Sequence, residues 1–222
     1  MGQTVTLLGA TGLIGSNLLD ILLNDDKYGQ VNVVGRRSVG RSHPKLLEKI
    51  MDFSDLKEMD PYIIGSETVF CAVGTTNKKV GGDKHEYQKV DYDIPVHAAK
   101  VAADGGVYGF VMVSSIGANP DNNNNYYLKL KGVVEEAVSK SLIPQLIVVR
   151  PSLLIGKRKE KRIAESIAQF VMPAVSWVLP SSMNKYKSIK AAEVASAMVK
   201  AAQTLPRGIH FLEYNEMMKL LK

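Results

Sequence analysis

Residues 5–23 constrain the fold more than any other stretch of the chain. An apolar run, Val5 to Leu8, ends at Gly9, and glycine recurs at Gly12 and Gly15. Beyond them Leu18, Leu19, Leu22 and Leu23 share one helical face. A buried strand feeding a glycine turn that opens a helix forms an anion site, because the helix N-terminus offers unpaired amide N–H groups and a partial positive charge. The three glycines are expected to serve different ends. Gly9 makes the tight turn, Gly12 allows close approach of the backbone to a pyrophosphate, and Gly15 lets the helix lie against the strand. The stretch Gly9-Ala10-Thr11-Gly12-Leu13-Ile14-Gly15 is spaced G-x-x-G-x-x-G rather than G-x-G-x-x-G, with Thr11 beside the anion position. The backbone amides of residues 10–15 are the expected grip on a dinucleotide's diphosphate.

Apolar runs then alternate with helical patterns to the end of the chain. Strands are expected at Val31–Val34, Ile50–Phe53, Thr68–Val73, Val107–Val113, Leu146–Val149 and Ile209–Leu212. Helical patterns fall at Asp83–Ala103, broken or kinked by Pro95 near Asp93, and at Tyr126–Ser139, Ile163–Met172, Ala191–Ala202 and Glu216–Leu221. His43–Lys49 reads as a short helix or a loop; Ser54-Asp55 caps a brief helix through Met59 that Pro61 ends. Asn119–Asn125 reads as a mobile polar turn. Such alternation specifies an α/β fold, a doubly wound Rossmann-type parallel sheet with helices on both faces. It is expected as one domain over residues 1–222, with small substrate-side elements from about residue 151. Ligands bind such sheets outside the carboxyl ends of the strands.

Composition narrows the setting. The 222 residues carry a formal charge of +6, which suits an anionic ligand. Cys71 is the sole cysteine, so no internal disulfide forms, and it reads as a small core residue. No apolar run is long enough to span a bilayer, and Met1 leads straight into a strand. The expectation is a soluble, cytoplasmic protein that does not enter membranes. The basic run Lys157–Arg162 lacks interleaved aromatics and reads as a solvated loop rather than a nucleic-acid surface. A small-molecule substrate is expected, and a homodimer or a protein partner stays open.

Two further constellations sit at strand ends. After Val31–Val34 come Arg36 and Arg37 with no nearby acid. A carboxylate there would bond the ribose 2′-hydroxyl of NAD, whereas arginines pair with the 2′-phosphate of NADP. NADP is therefore the expected cofactor, ahead of NAD. Ser114-Ser115 ends the Val107–Val113 strand, and Tyr127 and Lys131 share a face of the next helix. A tyrosine beside an ammonium can act as acid or base on a carbonyl or alcohol, and a strand-end serine can hold the same oxygen. Lys131 can also bond a cofactor ribose. Tyr126 is the competing tyrosine, five residues from Lys131 and three from Lys129.

On these residues the chain resembles the short-chain dehydrogenase/reductase superfamily, in its extended or atypical NAD(P)-binding branch. Ser114-Ser115-Ile116-Gly117-Ala118 and Tyr127-Leu128-Lys129-Leu130-Lys131-Gly132 look most like the small TIP thirty-like oxidoreductases of that branch. The resemblance implies catalytic roles for Ser115, Tyr127 and Lys131. It also implies a cofactor cradle of Gly9 to Gly15, Asp52-Phe53 at the adenine, Ala72-Val73-Gly74 over the cofactor, and Arg150-Pro151. Asp91 stands where catalytic members often have asparagine. The segment after Arg150 is shorter than the substrate lobe of sugar-nucleotide epimerases, which implies a smaller substrate. The function implied is NADP(H)-dependent hydride transfer to or from a small carbonyl or alcohol. The alternative is a dinucleotide-loaded scaffold that reports redox state to a protein partner.

Overall fold

The computed structural model describes residues 2–75, 83–155 and 187–222. The expected helix at Ile163–Met172 and the basic run at 157–162 lie outside them. The main sheet contains β1 (Gln3–Leu8), β2 (Tyr28–Gly35), β3 (Leu46–Ile50), β4 (Thr68–Cys71), β5 (Gly109–Val113), β6 (Gln145–Val149) and β9 (Gly208–Leu212). These seven strands pair in the order β3-β2-β1-β4-β5-β6-β9, every neighbour parallel. Between them, β7 (Leu154–Ile155) and β8 (Ile189–Lys190) pair into a second, two-stranded sheet that the sequence pattern did not suggest. The order reverses between β1 and β4. There the connections leave in opposite directions and open a crevice at the carboxyl edge.

Residues alternate across the sheet and build two cores. On one face Leu7, Val33, Phe70, Val111 and Ile147 pack beneath α1 (Leu13–Asn24) and α6 (Ala191–Thr204). Leu18 and Leu22 of α1 and Val194, Ala195 and Met198 of α6 are fully enclosed there. On the other face Leu8, Val69, Phe110, Met112 and Val148 pack beneath α4 (Ile94–Asp104) and α5 (Tyr126–Ser139). Ala98, Ala99 and Ala102 provide the small-residue surface that lets α4 sit close to the strands. Each fully buried leucine contributes roughly 1.5–3 kcal/mol, so the two faces hold the strand ends rigidly in place.

Two local readings are corrected. The third strand is Leu46–Ile50, not Ile50–Phe53, and it lies partly in the stretch read as helix or loop. It is the sheet's edge, with Leu47 and Ile50 exposed and Glu48 and Lys49 between them, so it lacks the apolar run of an interior strand. Pro61 does not end a helix. A 3-10 turn (Leu56–Met59) runs into α2 (Asp60–Ile63), whose first turn contains Pro61, where a missing N–H costs nothing. The Asn119–Asn125 stretch is tied by its own side chains. Asn119 Oδ1 accepts from the Asp121 N–H, and Asn122 Oδ1 accepts from the N–H groups of Asn124 and Asn125.

The Pro95 discontinuity is present and has a defined form. The expected long helix is α3 (Lys84–Gln88), a π-helical turn (Lys89–Asp93) and α4. Pro95 cannot donate to the carbonyl of Asp91 four residues back, so the helical register widens there. Helix α5 matches its expected span residue for residue and is capped by Asn125, whose side chain accepts from the Leu128 N–H at 3.1 Å. The preceding loop presses on α5 at Gly132, where a Cβ would lie 2.2 Å from the Pro120 nitrogen and 2.3 Å from the Asn119 carbonyl carbon. Gly132→Ala is therefore expected to lower stability by about 1–3 kcal/mol, measured by denaturant unfolding.

Candidate functional site

The β1–α1 turn is shaped by one close approach. Gly9 has φ +86°, and a Cβ on it would lie 2.6 Å from the Ala72 carbonyl oxygen at the end of β4. Gly15, one turn into α1, sits so near the turn that a Cβ would fall 2.1 Å from the Gly9 oxygen. At Gly12 a Cβ would meet only the Gly9 oxygen at 3.2 Å and the Ala72 oxygen at 3.8 Å. Packing within the protein thus demands glycine at 9 and 15 more strictly than at 12, as expected if the outer side of Gly12 faces a ligand. Gly12 is the N-cap of α1 and supplies no side-chain cap, and the first turn holds no acidic residue. The amides around Leu13 and Ile14 therefore keep their affinity for an anion. Thr11 is exposed beside them. The cradle fits a dinucleotide diphosphate by the chemistry of its donors and by the space its glycines leave.

Neighbouring strand ends carry the other candidates. Arg36 and Arg37 follow β2, both exposed and with no ion pair among the described residues. Past β3, Asp52 is exposed and accepts from the Ser54 N–H at 2.8 Å; hydrogen bonds from Ser54 hold its carboxyl below the usual carboxylate range. Phe53 next to it has φ +65°, a left-handed conformation that costs a non-glycine residue of order 1–3 kcal/mol. Ala72-Val73-Gly74 continues β4 beneath the glycine turn, with the Ala72 N–H donating to the Leu8 carbonyl at 2.9 Å.

The second constellation forms around a pair that sequence reading did not join. Lys131 Nζ lies 2.9 Å from Asp91 Oδ1, with the two side chains 7% and 1% exposed. Asp91 Oδ2 accepts from the Thr75 N–H at 2.7 Å, just past β4. Burial by itself pulls the Lys131 ammonium down, but the charge of Asp91, with Tyr127 adding to it, more than offsets this, and the net shift is upward. Lys131 Nζ stands 5.9 Å from the centre of the Tyr127 ring, and the Tyr127 hydroxyl has no hydrogen bond among the described residues. Tyr126 is engaged elsewhere. Its hydroxyl donates to the Lys84 carbonyl at 3.4 Å and its ring meets Tyr87 edge-on at 6.1 Å. Tyr127 is the tyrosine that joins Lys131.

Ser115 is half-buried, its hydroxyl reaching only the Ile116 carbonyl at 3.3 Å, whereas Ser114 is buried with no hydroxyl partner among the described residues. Of the two, Ser115 is the one open to a ligand. Pro151 braces this turn by accepting from the Ile116 N–H at 3.1 Å. Arg150 is turned elsewhere. Its guanidinium makes two bonds to Glu135, at 3.0 and 2.5 Å, and lies 4.5 Å from the centre of the Phe211 ring. Glu135 is buried on α5, and a buried carboxylate needs a counter-ion. The charged head of Arg150 is thereby paired within the protein.

Sequence reading also missed Tyr87, buried on α3 one turn from Asp91. Burial first, then the neighbouring Asp91 and Tyr127, raise its phenol well above the ordinary value. The four-residue spacing of Tyr87 and Asp91 was the available signal.

Comparison with known proteins agrees with this geometry. A family model described as NAD(P)H-binding matches residues 9–204. The chain belongs to that family. It is similar to the protein FMP52, mitochondrial, of Debaryomyces hansenii, at 36% identity over 170 residues, covering 73% of this chain and 72% of the relative. It is also similar to the protein HTATIP2 of Rattus norvegicus, at 33% identity over 171 residues, with 75% and 69% covered. Among solved structures it shares the fold of MoeE5 in complex with UDP-glucose and NAD, with a TM-score of 0.69 at 17% identity over 97% of this chain and 80% of the other. The expectation of an NAD(P)-binding family holds. The expectation of a cytoplasmic protein does not, because the fungal relatives are named mitochondrial. A lone cysteine shows only that no disulfide is needed, which distinguishes poorly between reducing compartments. Among the described residues no helix is long and apolar enough to cross a membrane.

Cys71 lies 2% exposed in this NAD(P)H-binding domain, and burial pushes its thiol up to about 11. In the native protein near neutral pH a thiol reagent is expected to leave Cys71 unmodified. One equivalent should react after denaturation, read by absorbance of the released chromophore; rapid native labelling would contradict the packing.

Proposed function

We propose that the protein is an NADP(H)-dependent oxidoreductase acting on a small carbonyl or alcohol. The observation that carries this reading is the Tyr127 ring 5.9 Å from Lys131 Nζ, its hydroxyl without a hydrogen bond among the described residues, at the same carboxyl edge of the sheet as the uncapped glycine cradle. The dinucleotide, when bound, supplies or accepts the hydride. Gly9 to Gly15 would hold its diphosphate through backbone amides, Arg36 and Arg37 a 2′-phosphate, and Ala72-Val73-Gly74 would let its rings lie close. Ser115 donates to the substrate oxygen. Tyr127 gives that oxygen its proton as the carbonyl carbon is reduced, and Lys131 stabilises the phenolate left behind. In the oxidising direction the proton returns to Tyr127. Lys131 can also donate to the ribose.

Tyr127→Phe keeps the ring and removes the proton. It is expected to lower carbonyl reduction on the order of a hundredfold or more while leaving NADPH affinity unchanged, measured with a panel of small aldehydes and ketones and by NADPH fluorescence titration. Tight NADPH binding with no carbonyl reduced would replace the enzyme reading with that of a dinucleotide-loaded scaffold. The cofactor preference has its own test. Arg36→Ala combined with Arg37→Ala should weaken NADPH far more than NADH in calorimetric titration, and equal losses would remove the assignment to NADP.

A further inference from the structure

The Asp91–Lys131 pair is nearly enclosed, and it joins three elements. Asp91 comes from the π-helical turn before α4, Lys131 from α5, and the Thr75 N–H from the chain just past β4. The groups facing the pair are Tyr87 on α3, Tyr126 and Tyr127 on α5, and Cys71 on β4; burial raises the phenols of Tyr87 and Tyr126 and the thiol of Cys71. Among the described residues Asp91 is the only carboxylate in contact with Lys131.

An ammonium removed from water this completely does not persist without a counter-charge, since desolvation favours its neutral form. The two oxygens of Asp91 divide the work. One holds the ammonium, and the other is fixed by the Thr75 amide, so the carboxylate cannot swing away from its place. The register shift ahead of Pro95 presents Asp91 inward at this point of the helix.

We propose that Asp91 is the positioning residue of this site: it keeps Lys131 an ammonium and holds it at one place between the end of β4 and the Tyr127 ring. This deepens the oxidoreductase reading and rests on it for its functional meaning. Lys131 then works on the phenolate and the ribose as a fixed charge. Asp91 itself touches neither substrate nor cofactor.

The sign follows from the balance at Lys131. With Asp91 present, its charge outweighs desolvation, and the ammonium persists as pH rises past the ordinary lysine value of 10.5. With Asp91 neutralised, desolvation dominates and deprotonation moves below that value. Asp91→Asn is nearly isosteric and keeps an acceptor for the Thr75 N–H. Lys131 ionisation is read by NMR of the full chain carrying 13C-labelled lysine, the signal assigned through Lys131→Met. In the native protein Lys131 should remain charged above pH 10.5, and in Asp91→Asn it should titrate at least about one pH unit below its ordinary value. Lys131 losing its proton at or below the ordinary value in the native protein overturns the proposal, as does an identical titration in the two proteins. The native measurement decides the matter even if Asp91→Asn does not fold.

A parallel NADPH fluorescence titration separates this proposal from the reading beneath it. Asp91→Asn should match the native affinity at low pH and fall at least threefold below it as pH rises through the lowered Lys131 transition. An unchanged pH dependence of affinity overturns the functional half of the proposal. A native protein with no affinity for NADPH at any pH sinks the oxidoreductase reading, and the positioning role with it, while the lysine titration still reports on the pair itself.

Discussion

The contact between the Gly9 backbone and the Ala72 carbonyl fixes the geometry on which the site depends. A side chain at Gly9 would collide with β4, so only glycine lets the first strand turn into α1 while its neighbour runs alongside. That turn lies where the strand order reverses, and the crevice it borders opens at the carboxyl edge. Because α1 is pressed against the turn at Gly15, its first amides point at the crevice with no side chain of their own to satisfy them. The affinity for an anion is thus a consequence of how tightly two strands and a helix are packed.

The charges at this edge are handled in two ways. Exposed groups, Arg36, Arg37 and Asp52, stand in solvent where a ligand can reach them. Among the described residues the buried charges are matched: Lys131 with Asp91, and Glu135 with Arg150. Burying a charge alone is far too costly, so each enclosed ion fixes the place of its partner. Both pairs involve α5, one on each side of Gly132, where the helix is also pressed by the loop before it. Tyr127, at the start of α5, is held by that arrangement, and its hydroxyl has no hydrogen bond among the described residues.

Much of this was legible in the chain, and the parts that were not share a cause. The span of α5, the interior strands and the discontinuity at Pro95 follow from apolar period, capping residues and a missing N–H, all set within a few neighbouring positions. The edge strand β3 was misplaced because an edge need not be apolar, and α2 because proline both ends helices and begins them. The partner of Arg150 was not legible because nothing near it in the chain shows the carboxylate it meets, fifteen residues earlier on α5.

By itself the sequence determined the class of fold, the anion cradle at its N-terminal turn, and the choice of Ser115, Tyr127 and Lys131 as candidates for chemistry. Each rests on spacing between near neighbours, which a strand or helix converts directly into a shared face. Tertiary structure alone decided that Arg150 belongs to Glu135 and that Asp91 holds Lys131 from forty residues away. Those choices depend on which strand lies beside which, and sheet order is set by packing the two faces as a whole rather than by any one stretch of chain.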